Sequence, residues 1–464
     1  MADVETFDLI VLGGGAAGEK GAVQAAYFGK KVALIEKEPV LGGAMVNTGT
    51  IPSKTLRETA LYFSGFRQRG LHGVDVKLGK KAGVHDFLHR LEAVMAMERE
   101  RIEQNLSRHR VKVFRGTAAF KSAHEVTVIS AAGVQTLRGN TMLIATGSSP
   151  HRPPQFQFDE ARIYDSDEIV RLDALPESMI VVGAGVIGCE YACLFATIGV
   201  KVTLIENRPM PLSFFDDEIA QRLKARMSAL GIELRMPAQV SRCETLPDRV
   251  KLTLDTNEEL EGECVLVCAG RQANTAALNL AAAGLTAGKR GQLEVDARFR
   301  TSVGHIAAVG DVIGFPALAS TAMEQARVAV VHLFDLKYKT EMASQFPYGI
   351  YTIPEVSMVG ETEASLQSKQ VDYVVGRAEL AQNARGLIIG EDGMLKLLFR
   401  KSDMQLLGAH CIGEQATELI HIALTALMTG AKAELFIQMC FNYPTLSEAY
   451  KYAAYDALGR RQTT

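Results

Sequence analysis

The first 188 residues contain no cysteine, which excludes a disulfide anywhere in that stretch. Proline is sparse, 14 in 464 residues against 41 glycines. That balance excludes a Pro-rich spacer and favours tight turns and close approach of backbone to a ligand. No block of one charge occurs, and the formal net charge is −3 from 50 basic and 53 acidic side chains. Nucleic acid and anionic membrane are therefore not expected partners. No uncharged run approaches the roughly 20 residues of a bilayer span. The most apolar stretch, 179–205, is broken by Glu190, Lys201 and several glycines. A short polar lead, Met1 to Thr6, has no basic segment or cleavage site, so no secretory signal is expected. Cys189, Cys193, Cys243, Cys264, Cys268, Cys411 and Cys440 are odd in number and scattered. They read as reduced, buried thiols of a cytoplasmic protein.

Hydrophobic residues make up 47% and charged residues 22%, an ordinary globular composition with ample side chain to bury. The length suggests about three units. Leu9 to Leu12 is a strand fit for burial on both faces. Gly13-Gly14-Gly15-Ala16-Ala17-Gly18 follows, then a helix-like stretch from Glu19 to Gly29 and a second strand, Val32 to Glu36. His85 to Arg108 reads as a long exposed helix, and Glu125 to Ile129 as one of several short strands. Ser148-Ser149-Pro150 with Pro153-Pro154 reads as a linker. Met179 to Val182, Gly183-Ala184-Gly185-Val186-Ile187-Gly188, a helix over Cys189 to Ile198 and Val202 to Glu206 then repeat the opening unit. The segment from about Phe346 mixes strands (Leu395 to Phe399) and helices (Thr417 to Met428) without a nucleotide signature.

Each glycine motif sits between a strand and a helix, and each is answered by an acid. Glu36 and Glu206 both lie 23 residues beyond the first glycine, near the expected spacing of about 20. The first glycine (Gly13, Gly183) makes the turn. The second (Gly15, Gly185) admits a pyrophosphate, and the third (Gly18, Gly188) packs helix on strand. The helix N-terminus receives the phosphates and the acid receives a ribose hydroxyl. Two dinucleotide sites in one chain point to a flavin and a nicotinamide meeting for hydride transfer. Glu206 favours NAD, while Arg208, two residues on, reads either as a partner for a 2′-phosphate or as a solvated loop residue; together they are compatible with both NAD(H) and NADP(H). Cys189 and Cys193 lie four apart on the helix and read as core residues; His410 and His421 have no metal-like partners nearby and read as structural, so no metal site is expected.

With these motifs the chain resembles the flavoprotein disulfide reductases that carry two dinucleotide-binding domains. The resemblance spans essentially the whole chain through Gly42-Gly43, Ile51-Pro52-Ser53-Lys54, Ala145-Thr146-Gly147, Ala269-Gly270-Arg271, Gly310-Asp311 and Pro444-Thr445 with Glu448. It implies an α/β fold of two Rossmann-like dinucleotide-binding domains plus a C-terminal α+β dimerisation domain. FAD would occupy 1–150 and 275–345, NAD(P) would occupy 151–274, and 346–464 would form a homodimer. It further implies that Asp311 meets the FAD ribitol and Ala319 lies near the isoalloxazine. Gly116 to Ala118 would meet the adenine, and Lys54 and Glu190 would pair beside the flavin.

The family's cysteine pair just before Ile51 is replaced by Met45 and Thr50. Neither side chain forms a thiolate, so a thiol relay is not available. The family's histidine before proline is Tyr443, and a phenol is a poorer base than an imidazole at neutral pH. Thiol and base are lost together. The segments around Thr50, Glu190, Asp311 and Gly349 to Glu355, and Phe441 to Thr445, resemble the transhydrogenase members of the family, which differ in usually keeping the first cysteine. The implied activity is hydride transfer between NADPH and NAD+ through the flavin, with Tyr443 and Glu448 either closing the site from a second subunit or packing in the interface. Two rivals remain: an NAD(P)H oxidase or quinone reductase, and a nucleotide-binding protein without chemistry.

Overall fold

The computed structural model describes residues 4–65 and 84–463. The first four-residue apolar run, Leu9 to Leu12, has no exposed surface at all. Each such side chain contributes about 1.5–3 kcal/mol of transfer free energy. The strand Glu5–Leu12 therefore sits centrally in a seven-stranded sheet. It pairs in parallel with Val32–Glu36 on one side and with Gly133–Ile144 on the other. Val32–Glu36 pairs with Lys112–Arg115, and Ile306–Ala308 returns late in the chain to pair with Gly133–Ile144. Glu125–Ser130 and Thr117–Ser122 extend the sheet in antiparallel fashion.

Four helices of this part matter to the site: α1 (Ala16–Tyr27), α2 (Gly43–Asn47), α3 (Thr50–Phe63) and α4 (Val84–Arg108). The expected long exposed helix is only half exposed. Phe87, Leu91, Ile102 and Leu106 of α4 are buried, because an amphipathic helix must place its apolar stripe against a core.

The second unit is a five-stranded parallel sheet ordered 233–235, 201–205, 178–182, 264–267 and 163–165. Helices α5 (Val186–Thr197) and α6 (Asp217–Ala229) belong to it. Helix α7 (Ala319–Leu333) packs on α1 in the first unit. The third unit is a five-stranded antiparallel sheet ordered 348–350, 356–360, 406–412, 394–400 and 373–379, covered by the helices Ala416–Met428 and Ala449–Thr463. Among the described residues, no helix is long and apolar enough to cross a membrane.

Two further sequence expectations need correction. Ser148–Pro150 is a strand, paired antiparallel with Arg271–Ala273. A Ser-Pro edge reads as a linker because its partner lies more than a hundred residues away. Not all cysteines are buried either: Cys440 is exposed, and Cys243 and Cys268 are partly so.

Lys396 ties the third unit to the second. Its ammonium is buried and lies 2.8 Å from Asp216 and 3.0 Å from Glu218, with Glu363 also in contact. Arg377 adds a two-pronged bond to Glu218. Burial works to raise the Glu218 carboxyl, but the hydrogen bonds from Arg377 and Lys396 prevail and hold it at about 2. Its unfolded value is about 4.3, so this contribution is full above that pH and is lost as pH falls through the folded value. Arg377→Gln is expected to lose on the order of 1 kcal/mol at pH 7 after solvent screening. Urea denaturation should show that deficit shrinking toward pH 2.

Candidate functional site

The two glycine turns are conformational copies. Gly13 and Gly183 both have φ of +104°, a region costly for a residue with a Cβ. A Cβ on Gly18 would collide with the Gly13 carbonyl, and one on Gly188 with the Gly183 carbonyl. Polypeptide geometry thus explains the first and third glycines. It does not explain the second. A Cβ on Gly185 would meet nothing, and one on Gly15 would only touch Gly43 Cα at 3.7 Å. Gly15 and Gly185 are also the N-caps of α1 and α5, with no side-chain cap. Space and uncapped N–H groups lie together at each turn, as a phosphate requires.

The acids are held by one device. The Gly14 N–H donates to Glu36 Oε2 at 2.7 Å and the Glu38 N–H donates to Oε1 at 2.9 Å. The Ala184 N–H donates to Glu206 Oε2 at 2.8 Å and the Arg208 N–H donates to Oε1 at 3.1 Å. Arg208 adds its own Nε at 3.0 Å from Glu206 Oε1 and reaches Ser213. Burial works to raise the Glu206 carboxyl, but Arg208 and the backbone donors outweigh it and hold it below its ordinary value.

A cavity of about 1390 Å³ runs along the first turn, larger than the roughly 300–1,000 Å³ of common small-ligand pockets. Gly13, Gly15, Glu36, Gly43, Met45 and Thr50 line one stretch of it. Lys54, Ala118, Thr146, Gly147, Glu190, Asp311 and Ala319 also line it. Among the described residues, Gly18, Gly42, Gly183, Gly185, Gly188, Glu206, Arg208 and Gly270 do not line it. Val186, Ile187 and Glu190 carry the second unit's α5 to its edge. The cavity also suits a large polar cofactor chemically. Thr146 Oγ1 is buried without a partner, and a Cβ on Gly147 would meet nothing.

Where the three units meet, Lys54 of α3 pairs with Glu190 of α5 at 2.8 and 2.9 Å. The Tyr351 N–H donates to the same carboxylate at 2.9 Å, and the Lys54 ammonium stands 4.9 Å over the Tyr351 ring. Burial raises the Tyr351 phenol above its ordinary pKa. Tyr351 was not singled out from sequence, although it lies within the quoted Gly349 to Glu355 segment.

No thiol faces the pair from Met45 or Thr50. Burial pushes Cys193 and Cys268 up to about 12 and Cys189 well above the usual thiol range, which removes thiolate chemistry there. Tyr443 is exposed and Glu448 accepts from the Tyr452 hydroxyl; neither is brought to the cavity of this chain. His410 is buried, its ring bonded to the Glu361 carbonyl, and burial lowers its pKa. Asp216, Glu218 and Glu363 come close enough for a cation, but the Lys396 ammonium already stands among them.

Residues 7–326 match the pyridine nucleotide-disulphide oxidoreductase family, and residues 346–454 match its dimerisation domain. The chain is 44% identical to a soluble pyridine nucleotide transhydrogenase of Mycobacterium bovis, covering 98% of this chain and 97% of the relative. It is 40% identical to one of Pseudomonas syringae pv. tomato, covering 98% and 99%. Among solved structures it resembles LpdA of Mycobacterium tuberculosis, with a TM-score of 0.88, 27% identity and 97% and 99% coverage. The flavoprotein disulfide reductase RclA of Escherichia coli, as a Cu(II) complex, gives 0.89, 26%, 97% and 99%.

Lys54→Met leaves the Glu190 carboxylate buried without its cation. Expected destabilisation is about 2–3 kcal/mol, below the full cost of breaking a buried pair because Lys54 keeps some solvent. Lys54→Met with Glu190→Gln should recover part of it in urea denaturation.

Proposed function

The chain belongs to the pyridine nucleotide-disulphide oxidoreductase family, and on that footing we propose that it transfers hydride between NADPH and NAD+ with FAD, without a redox disulfide. The observation that carries the reading is a duplicated dinucleotide turn whose two units meet at Lys54–Glu190, where Met45 and Thr50 offer no thiol. The relatives named soluble pyridine nucleotide transhydrogenase support the same activity. The enzyme is an oxidoreductase, and its dimerisation domain makes it a homodimer. Its reduced thiols suit the cytoplasm.

When bound, FAD supplies the ring that takes up hydride from one pyridine nucleotide and delivers it to the next. The first unit, residues 1–150 with 275–345, holds it. The Gly15 turn and the α1 N-terminus receive the pyrophosphate. Glu36 receives a ribose hydroxyl, Ala118 meets the adenine, Asp311 the ribitol, and Ala319 the ring end. The unit 151–274 takes the pyridine nucleotide at Gly185, Glu206, Arg208 and Gly270. Lys54 places a positive charge beside the ring, and Glu190 with the Tyr351 N–H fixes where that ammonium stands. Tyr443 and Glu448 of a partner subunit, from the unit 346–464, close the cavity. No side chain acts as nucleophile, so the protein contributes position and electrostatics.

Anaerobic stopped-flow mixing with NADPH, then NAD+, tests the reading. Bleaching of the flavin band followed by rapid recovery with NAD+ is expected. Recovery only with oxygen or a quinone identifies an oxidase or quinone reductase instead, and an unbleached or colourless protein leaves a nucleotide-binding role.

Arg208 tests the choice of nucleotide. A charge-assisted phosphate contact contributes about 1.5–3 kcal/mol, so Arg208→Ala should raise the KM for NADPH roughly tenfold or more. The KM for NADH should move little. Equal changes for both nucleotides would remove Arg208 from phosphate recognition.

A further inference from the structure

Asp311, placed above at the ribitol, begins a continuous polar chain through Ser148, Arg271 and Asp167, and the assignments above use none of those three. It crosses from the first unit to the second through the short ribbon of Ser148–Pro150 and Arg271–Ala273. The Ser148 hydroxyl donates to Asp311 Oδ2 at 2.7 Å. Arg271 Nε donates to that hydroxyl at 2.8 Å, and Arg271 Nη2 donates to the Ser148 carbonyl at 2.8 Å. At its other edge, Arg271 Nη1 donates to Asp167 Oδ1 at 3.1 Å. Asp167 is itself seated by its N–H on Asp165 Oδ1 at 2.8 Å, and Asp165 is held by Arg152.

Donor arithmetic fixes the polarity of this chain. A serine hydroxyl has one proton. Arginine has no acceptor, so Ser148 must accept from Arg271, and its single proton is left for Asp311. The hydroxyl cannot rotate away without leaving both partners unsatisfied. Asp311 Oδ2 is thereby engaged inside the protein. Among the described residues no hydrogen bond reaches Oδ1, and Asp311 lines the cavity. The carboxylate thus presents one free oxygen to the cavity in a fixed direction.

We propose that Ser148 and Arg271 are positioning residues that aim the Asp311 carboxylate at a cofactor hydroxyl, and that Asp167 ties this aim to the second nucleotide-binding unit. The inference rests on the placement of FAD in this cavity and adds to it. It makes the geometry of one ligand's anchor depend on the seating of the unit that binds the other.

The test uses the full-length holoprotein. FAD release on dilution, read by free-flavin fluorescence, gives a Kd alongside the visible flavin spectrum. Ser148→Ala should weaken FAD binding about tenfold, the scale of a hydrogen bond to a charged group. Ser148→Thr keeps the hydroxyl and should stay within about threefold of the parent, which simple loss of packing would not produce. Asp167→Asn leaves the ribbon intact and should weaken FAD about two- to fivefold, the scale of a partly exposed ion pair. That variant keeps the proposal testable if Ser148→Ala does not fold. Unchanged affinity in Ser148→Ala, or equal weakening in Ser148→Thr, overturns the positioning role. Unchanged affinity in Asp167→Asn overturns the link between units. A parent protein without flavin overturns the cofactor reading itself, and is distinguished from both by the spectrum before any substitution.

Discussion

Everything at the centre of the molecule depends on one carboxylate. Glu190 accepts Lys54 from the first unit and the Tyr351 N–H from the third, while riding on α5 of the second. Taking a carboxylate to this depth costs several kcal/mol unless its lone pairs are filled. Here the filling groups come from two other units, so the charge is tolerable only when all three are docked. Arg57, one turn after Lys54, reinforces the same junction by donating to the Thr352 carbonyl and pairing with Glu355. The turn of α3 from Lys54 to Arg57 is therefore held by the third unit as well as by the first.

The duplicated turns show how much a backbone can say about an absent ligand. In each copy the first glycine answers to φ and the third to packing, and both needs are met inside the polypeptide. The middle glycine has no internal reason. A Cβ there would harm nothing in the protein, so its lack is a statement about something outside the chain. The uncapped α1 and α5 N-termini make the same statement in electrostatic terms.

Local pattern makes much of this legible in the sequence. Buried strands, glycine turns and the acids that follow them are encoded within some thirty residues, and each appeared where the spacing placed it. The Lys54–Glu190 pair came from resemblance, because the residues are 136 positions apart and no periodicity links them. What stayed hidden shares that property. Ser148–Pro150 looked like a linker because its partner strand begins at Arg271. Tyr351 was overlooked because its decisive group is a backbone N–H, which every residue but proline possesses. Lys396 sits in an apolar strand, and nothing near it in sequence announces Asp216, which is 180 residues away.

The two acid clamps differ at one place, and the difference follows the division of labour proposed for the units. Both carboxylates are seated by backbone N–H groups at the same relative positions. Two residues on, the first site has Glu38 and the second has Arg208. Glu38 offers no cation to a phosphate and is itself paired with Lys37, which suits a resident ligand with a free ribose hydroxyl. An arginine resting on Glu206 can remain there for a hydroxylated ribose or turn its guanidinium to a phosphate. A carboxylate alone would repel the phosphate, and an arginine alone would give up the hydroxyl acceptor. On the proposed reading, keeping both within one hydrogen bond of each other would let a single site accept either nucleotide, the condition a transhydrogenase must satisfy.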